Sequence, residues 1–281
     1  MAVLWAGGFI SGKLIVQQAG PFAISFFRFL MVTLVLGALV YKREKDIVID
    51  IKLFLYAFCA ALIGIFFYNY LFFSGIKLVD AGRSSVIIST VPIVVAVVSF
   101  VLFKERMSVL KMLGIMISLV GAWIVISKGD WNVLASAPLG RGEVYLILCV
   151  FCAAAFALFS KELLQSLSPV VTMVYISAVG TVLLFIPALL EIREIPVEFF
   201  SAKFLLNLFY LAAGPSVVAV IFFYEAIHSI GTARASQYMN LIPVFAVMLA
   251  MIFLGETITA SLVLGGGLVT AGLYLTNFVS S

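Results

Sequence analysis

RSSVIISTVPIV, from Arg83 to Val94, and RASQYMNLIPVF, from Arg234 to Phe245, decide how this chain is read. Each opens on an arginine, carries a serine two residues on and a proline nine residues on, and the two lie 151 positions apart. At that offset Ser85 answers Ser236, Pro92 answers Pro243 and Glu105 answers Glu256. The register continues through Leu113 and Leu264, Gly114 and Gly265, and Gly121 and Gly272. Near the start of each half the offset is 148, where KLIVQQAGP (Lys13–Pro21) answers KELLQSLSP (Lys161–Pro169). Self-similarity of this kind marks a duplicated unit. The halves are 1–127 and 141–281, joined by a polar linker over 128–140.

Composition says what solvent those halves face. The chain is 64% hydrophobic and 11% charged, with mean hydropathy +1.25, against roughly a quarter charged residues in soluble domains. It reads as an all-α integral membrane protein. Apolar segments fall near 1–18, 22–41, 53–76, 84–103, 111–127, 143–160, 170–190, 204–227, 233–254 and 260–279, each close to the roughly 17–25 residues that span hydrocarbon as a helix. Such long runs, without ten-residue alternation, exclude an outer-membrane barrel. The first segment has no charged leader and no small-residue cleavage site, so it reads as a helix and not a signal peptide. It is short, which leaves room for native residues ahead of Met1.

Ten helices in two halves means five per half. Five is odd, so the second half enters the bilayer from the opposite side, giving an inverted repeat as in many secondary transporters. Arg83 and Arg234 then stand at equivalent points on opposite faces. With the N-terminus cytoplasmic, the inner loops hold Lys42, Arg43, Lys45, Lys52, Lys104, Arg106, Lys111, Lys161 and Arg234, nine cations against seven outside. YKREKD after the second segment is the strongest vote, and it places both termini inside a cytoplasmic membrane.

The net charge of +4 is dispersed through short loops, which argues against a nucleic-acid partner. Cys149 and Cys152 form a CxxC but lack the further ligands a zinc or redox site needs, so they read as apolar filler, and no cofactor is expected. No H-E-x-x-H, G-x-S-x-G or phosphate-binding G-x-x-x-x-G-K-[ST] is present. An intramembrane enzyme or an ATP-driven pump is therefore disfavoured; the nearest rival to a carrier is a passive facilitator.

VLWAGGFISGK (Val3–Lys13), AGRSS…VP…LFKE and TARAS…IP…FLGE resemble the EamA-type branch of the drug/metabolite transporter superfamily. The resemblance covers both halves. It implies ten helices in two inverted five-helix repeats and transport, mostly export, of small metabolites, amino acids among them. It names no cargo. One departure is KER at Glu105, where the family more often has glycine before the glutamate, as at Glu256.

Polar groups inside spans are costly and mark candidate sites. Arg83 and Arg234 either snorkel to headgroups or flank the two mouths of a pathway. Pro92 and Pro243 kink their helices, as static bends or as gates. Gln237 and Asn240 share a face beside Tyr238; Ser89 is the counterpart of Asn240 in the first half and shares a face with Ser85. Asn240 lies about 10 Å inside its helix, too deep for snorkelling, and is read as cavity lining. Trp5, Tyr68 and Asn69 add aromatic and amide surface of the kind that lines small-molecule sites. Tyr224, Glu225 and His228 share one surface of FFYEAIHS and form a candidate proton relay, or a solvated helix end. Gly8 and Gly12 allow close helix packing. The lipid bilayer and a small-molecule substrate are the expected partners; monomer and homodimer both remain open.

Overall fold

Runs of aliphatic and aromatic residues, punctuated by Asp, Ser and Pro, fold as helices joined by short turns. The computed structural model describes residues 1–43, 49–103, 108–129, 139–193, 201–230, 235 and 238–278; Arg234, Ser236, Gln237 and Glu105 lie outside them. The helices are α1 (Ala2–Ile15), α2 (Pro21–Arg43), α3 (Ile51–Ala61), α4 (Tyr68–Leu78), α5 (Ala81–Ile88), α6 (Val91–Phe103) and α7 (Val109–Ile126) in the first half. The second half has α8 (Arg141–Leu164), α9 (Pro169–Ile192), α10 (Ala202–Ala213), α11 (Ala219–Ile230), α12 (Ile242–Leu254) and α13 (Ala260–Phe278). Start signals act locally as expected. Asp50 accepts from the Leu53 N–H at 2.7 Å, Ser108 from Lys111 at 3.2 Å and Ser201 from Phe204 at 3.3 Å. Gly255 closes α12 with φ +68°, the left-handed conformation that favours glycine.

Seven spans among the described residues are long and apolar enough to cross a membrane: Pro21–Tyr41, Ile51–Leu78, Ala81–Val98, Val109–Ile126, Arg141–Leu164, Pro169–Ile192 and Ala202–Ile230. Ala2–Ile15, Tyr238–Leu254 and Ala260–Thr276 are shorter apolar helices. The outer surface is apolar as well. On α9, Val182 is 74% and Ile186 70% exposed, one helical turn apart; a surface of that kind suits lipid rather than water.

Four spans are interrupted. A π-helical segment, Leu62–Phe67, separates α3 from α4, and a second, Gly214–Val218, separates α10 from α11. The 151-residue offset carries Leu62–Phe67 onto Ala213–Val218, so both interruptions fall at one place in the repeat. The same holds for the proline spans. α5 ends at Ile88 and α6 begins at Val91, while Tyr238–Leu241 is a 3₁₀ turn and α12 begins at Ile242. Pro92 and Pro243 thus do not kink continuous helices; each stands second in a new one. There the missing N–H has no helical partner to lose, so a clean break is cheaper than a bend.

Two pairs of helices at matching repeat positions pack on each other. α2 lies along α9: the Ala23 N–H donates to Glu191 Oε2 at 2.7 Å, and Thr33 and Thr181, 148 positions apart, share a hydrogen bond at 3.4 Å. As α2 advances the partner on α9 recedes, so the helices are antiparallel. α7 and α13 cross with backbone nearly touching backbone. A Cβ on Gly121 would stand 2.5 Å from the Gly265 carbonyl oxygen, and one on Gly114 2.6 Å from that of Gly272. Midway, Ser118 Oγ donates to the Val269 carbonyl at 3.1 Å. Small residues permit this approach, and dispersion plus hydrogen bonding then hold the pair in lipid.

Candidate functional site

The paired π segments create the centre of the molecule. In a π turn the i→i+5 register frees backbone carbonyls that an α-helix would occupy. Pro215 offers its carbonyl to the Trp5 indole N–H at 2.9 Å. Asn69, following the first π segment and 1% exposed, donates to the Ile65 carbonyl at 2.8 Å. That bond turns Asn69 Oδ1 toward α2, where Arg28 Nη1 donates to it at 3.3 Å. Ser216, inside the second π segment, accepts from Arg28 Nε at 3.0 Å and Nη2 at 2.8 Å. One guanidinium is thus clamped between the matching interruptions of the two halves.

A cavity of about 300 Å³ opens beside it. Its wall has an aromatic part, Trp5, Phe9, Tyr68 and Phe72, and a part from the broken spans, Ser85, Ile88, Ser89, Pro92 and Asn240. The rings are fixed by one another: Tyr68 stacks on Phe72 at 5.9 Å between centroids, and Phe9 meets Phe72 edge-on at 5.3 Å. The Ser85 and Ser89 hydroxyls donate to the Gly82 and Val86 carbonyls, both at 2.7 Å. Asn240 is 6% exposed, and its amide nitrogen has no hydrogen-bond partner among the described residues.

A polar cluster holds the start of α5. Arg83, 8% exposed, donates from Nε to the Val125 carbonyl at 3.2 Å and from Nη2 to that of Ile126 at 2.8 Å, and pairs with Glu143 at 3.2 Å. Glu256 accepts from the Ala81 and Gly82 N–H groups at 2.7 and 3.0 Å, a carboxylate at a helix N-terminus where the dipole favours it. Lys13 Nζ donates to the Val79 carbonyl at 2.7 Å. Ser85, on the cavity wall, lies only about 3 Å along the axis from Arg83.

The candidates named from sequence therefore divide. Trp5, Tyr68, Ser85, Ser89, Pro92 and Asn240 line the cavity. Asn69 stands behind it as a support for Arg28. Pro243 is buried in α12. Tyr238 is 53% exposed and lines a separate, more open depression with Val3 and Phe222. Glu225 and His228 are exposed on α11, and among the described residues no hydrogen bond or ion pair joins their side chains. The α11 backbone includes Tyr224, but Arg234 and Gln237 lie outside the described residues. Gly8 packs on Pro215 and Gly12 on Ile76. Cys149 is buried, and with Cys59 and Cys152 it is a free thiol. Arg28 is not among the candidates named from sequence, although its depth, about 10 Å from Pro21, is the same signal that singles out Asn240.

The model of the EamA-like transporter family matches residues 1–127 and again 140–278. The chain belongs to the EamA-like transporter family. Among relatives of this EamA-like protein is an "Uncharacterized transporter" of Archaeoglobus fulgidus, 27% identical over 274 residues that cover 98% of this chain and 93% of that protein. Another is the "Uncharacterized transporter YdfC" of Bacillus subtilis, 27% identical and covering 98% of this chain and 88% of that protein. A solved crystal structure shares the fold with TM-score 0.67 at 16% identity, over 99% of this chain and 98% of its own. The EamA-like chain is accordingly a multi-pass membrane transporter in kind.

Proposed function

We propose that this chain is a secondary-active transporter of the cytoplasmic membrane with both termini inside, exporting small metabolites, amino acids among them, by alternating access between two inverted five-helix repeats, 1–127 and 141–281. The observation that carries this reading is the convergence of interrupted helices from both halves on one cavity. Broken helices around a central site are how carriers present polar backbone to a substrate within the bilayer. The antiparallel packing of α2 on α9 and of α7 on α13, at matching repeat positions, supports the inversion.

The test is reconstitution. Proteoliposomes loaded with labelled metabolites are given a proton gradient, which is then collapsed with an ionophore. Uphill export that stops on collapse supports the carrier. Downhill flux indifferent to every gradient would replace it with a facilitator.

A further inference from the structure

We infer that the central cavity selects an organic monocarboxylate with an apolar, ring-sized body, its carboxylate held by Arg28 and Asn240. This deepens, and rests on, the reading of the cavity as the transport site.

The first argument is charge. Among the described residues, Arg28 is the one ionic side chain in the cavity wall, which includes no aspartate or glutamate. No carboxylate pairs with it among the described residues. The part-buried guanidinium has three neutral hydrogen-bond partners and the Phe29 ring at 5.2 Å but no counter-ion, so part of its desolvation cost stands, and a ligand carboxylate relieves it.

The second argument is the hydrogen-bond count. A guanidinium has five N–H donors, and three of Arg28's are engaged, two by Ser216 and one by Asn69. One N–H remains on each terminal nitrogen, and two such donors match the two oxygens of a carboxylate. The Asn240 amide nitrogen is a further buried donor without a partner. The Ser85 and Ser89 protons are already given to backbone carbonyls. The wall's remaining acceptors are neutral hydroxyl and amide oxygens, whereas its unfilled donors include a full positive charge, which favours an anion.

The third argument is shape. Trp5, Phe9, Tyr68 and Phe72 face a volume of about 300 Å³, at the small end of ligand sites. A flat apolar body fits between such rings. An ammonium group would be stripped of water with no carboxylate to receive it, so a zwitterion is a poorer ligand than the matching acid. A second carboxylate would go unpaired for the same reason.

The experiment uses the purified full chain in neutral detergent, with thermal unfolding and calorimetry against probes of one skeleton: 3-phenylpropanoate, L-phenylalanine, 3-phenylpropylamine and 3-phenylpropanamide, with inorganic phosphate alongside. The expected result is stabilisation by 3-phenylpropanoate, weaker by phenylalanine, and none by the amine, the amide or phosphate. Arg28→Gln weakens the acid by at least about 30-fold, the loss expected when one partner of a buried charge pair is truncated, while Arg28→Lys falls between. If Arg28→Gln does not fold, the probe series on the parent chain still decides. Equal or tighter binding of the amine or amide, binding of phosphate alone, an acid indifferent to Arg28→Gln, or no binding by any probe overturns the inference. Counterflow in proteoliposomes separates it from the transport reading. A neutral or cationic probe that is carried leaves the transporter standing and removes the carboxylate, whereas an acid that binds and is never carried does the reverse.

Discussion

Arg83 on α5 and Glu143 on α8 meet at 3.2 Å, tying the two halves together across the linker. The same guanidinium holds the last carbonyls of α7, Val125 and Ile126, so three helix ends converge on one side chain.

Because the roles within that cluster are unequal, the two obvious variants differ. Arg83→Gln strands a part-buried carboxylate and two carbonyls, and costs about 1–3 kcal/mol. Glu143→Gln leaves Arg83 with its carbonyl partners and costs less. Thermal unfolding in detergent orders the two; equal losses would mean the carbonyl contacts contribute nothing.

Glu256 stabilises the start of α5 through two N–H groups. Glu256→Ala removes both bonds and the charge at the dipole, and lowers stability by about 1–2 kcal/mol. Hydrogen exchange at the Ala81 and Gly82 amides rises in the variant while exchange in mid-α7 does not.

Two glycines on the α7–α13 pair give a matched comparison. Gly121→Ala puts a methyl 2.5 Å from the Gly265 carbonyl oxygen, whereas Gly267 has nothing within 4 Å of its Cβ position. Gly121→Ala therefore forces the helices apart at a cost of about 1–3 kcal/mol. Gly267→Ala is neutral or stabilises by up to about 1 kcal/mol through helix propensity. The melting temperatures of the two variants should move in opposite directions from the parent or at least separate clearly.

Glu225 and His228 stand on the exposed face of α11 and not on the cavity wall. Glu225→Gln accordingly keeps the parent's pH dependence of transport in proteoliposomes. A flattened pH profile would assign the pair a coupling role from outside the cavity.

How far these features can be read from sequence depends on how each is encoded. The duplication was open to inspection because paired residues such as Arg83 and Arg234, or Gly121 and Gly272, repeat as letters at one offset. The hydrophobic runs located the described helices to within a few residues, since burial in lipid leaves little choice of side chain. The π segments were not legible. A shift from i→i+4 to i→i+5 bonding is a change of backbone register with no residue type of its own, and neither GIFF nor PSVV announces it. The breaks at Ser89 and at Tyr238–Leu241 were half legible: proline marked the place, but whether the chain bends or restarts there is settled by tertiary packing. Asn240 was found by depth alone. Arg28 meets the same criterion of depth. Its clamp joins residues 41 and 188 positions away, a juxtaposition no local pattern carries. Glu143 escaped notice for a similar reason, lying across the linker from the arginine it neutralises.

At the α7–α13 crossing carbonyls meet glycines, centred on Ser118 and Val269, and Val125 of one helix and Thr276 of the other seat against the opposite glycines Gly265 and Gly114. So close a fit admits neither a larger residue nor a sliding of one helix along the other, so the crossing acts as a fixed joint between the first and second halves.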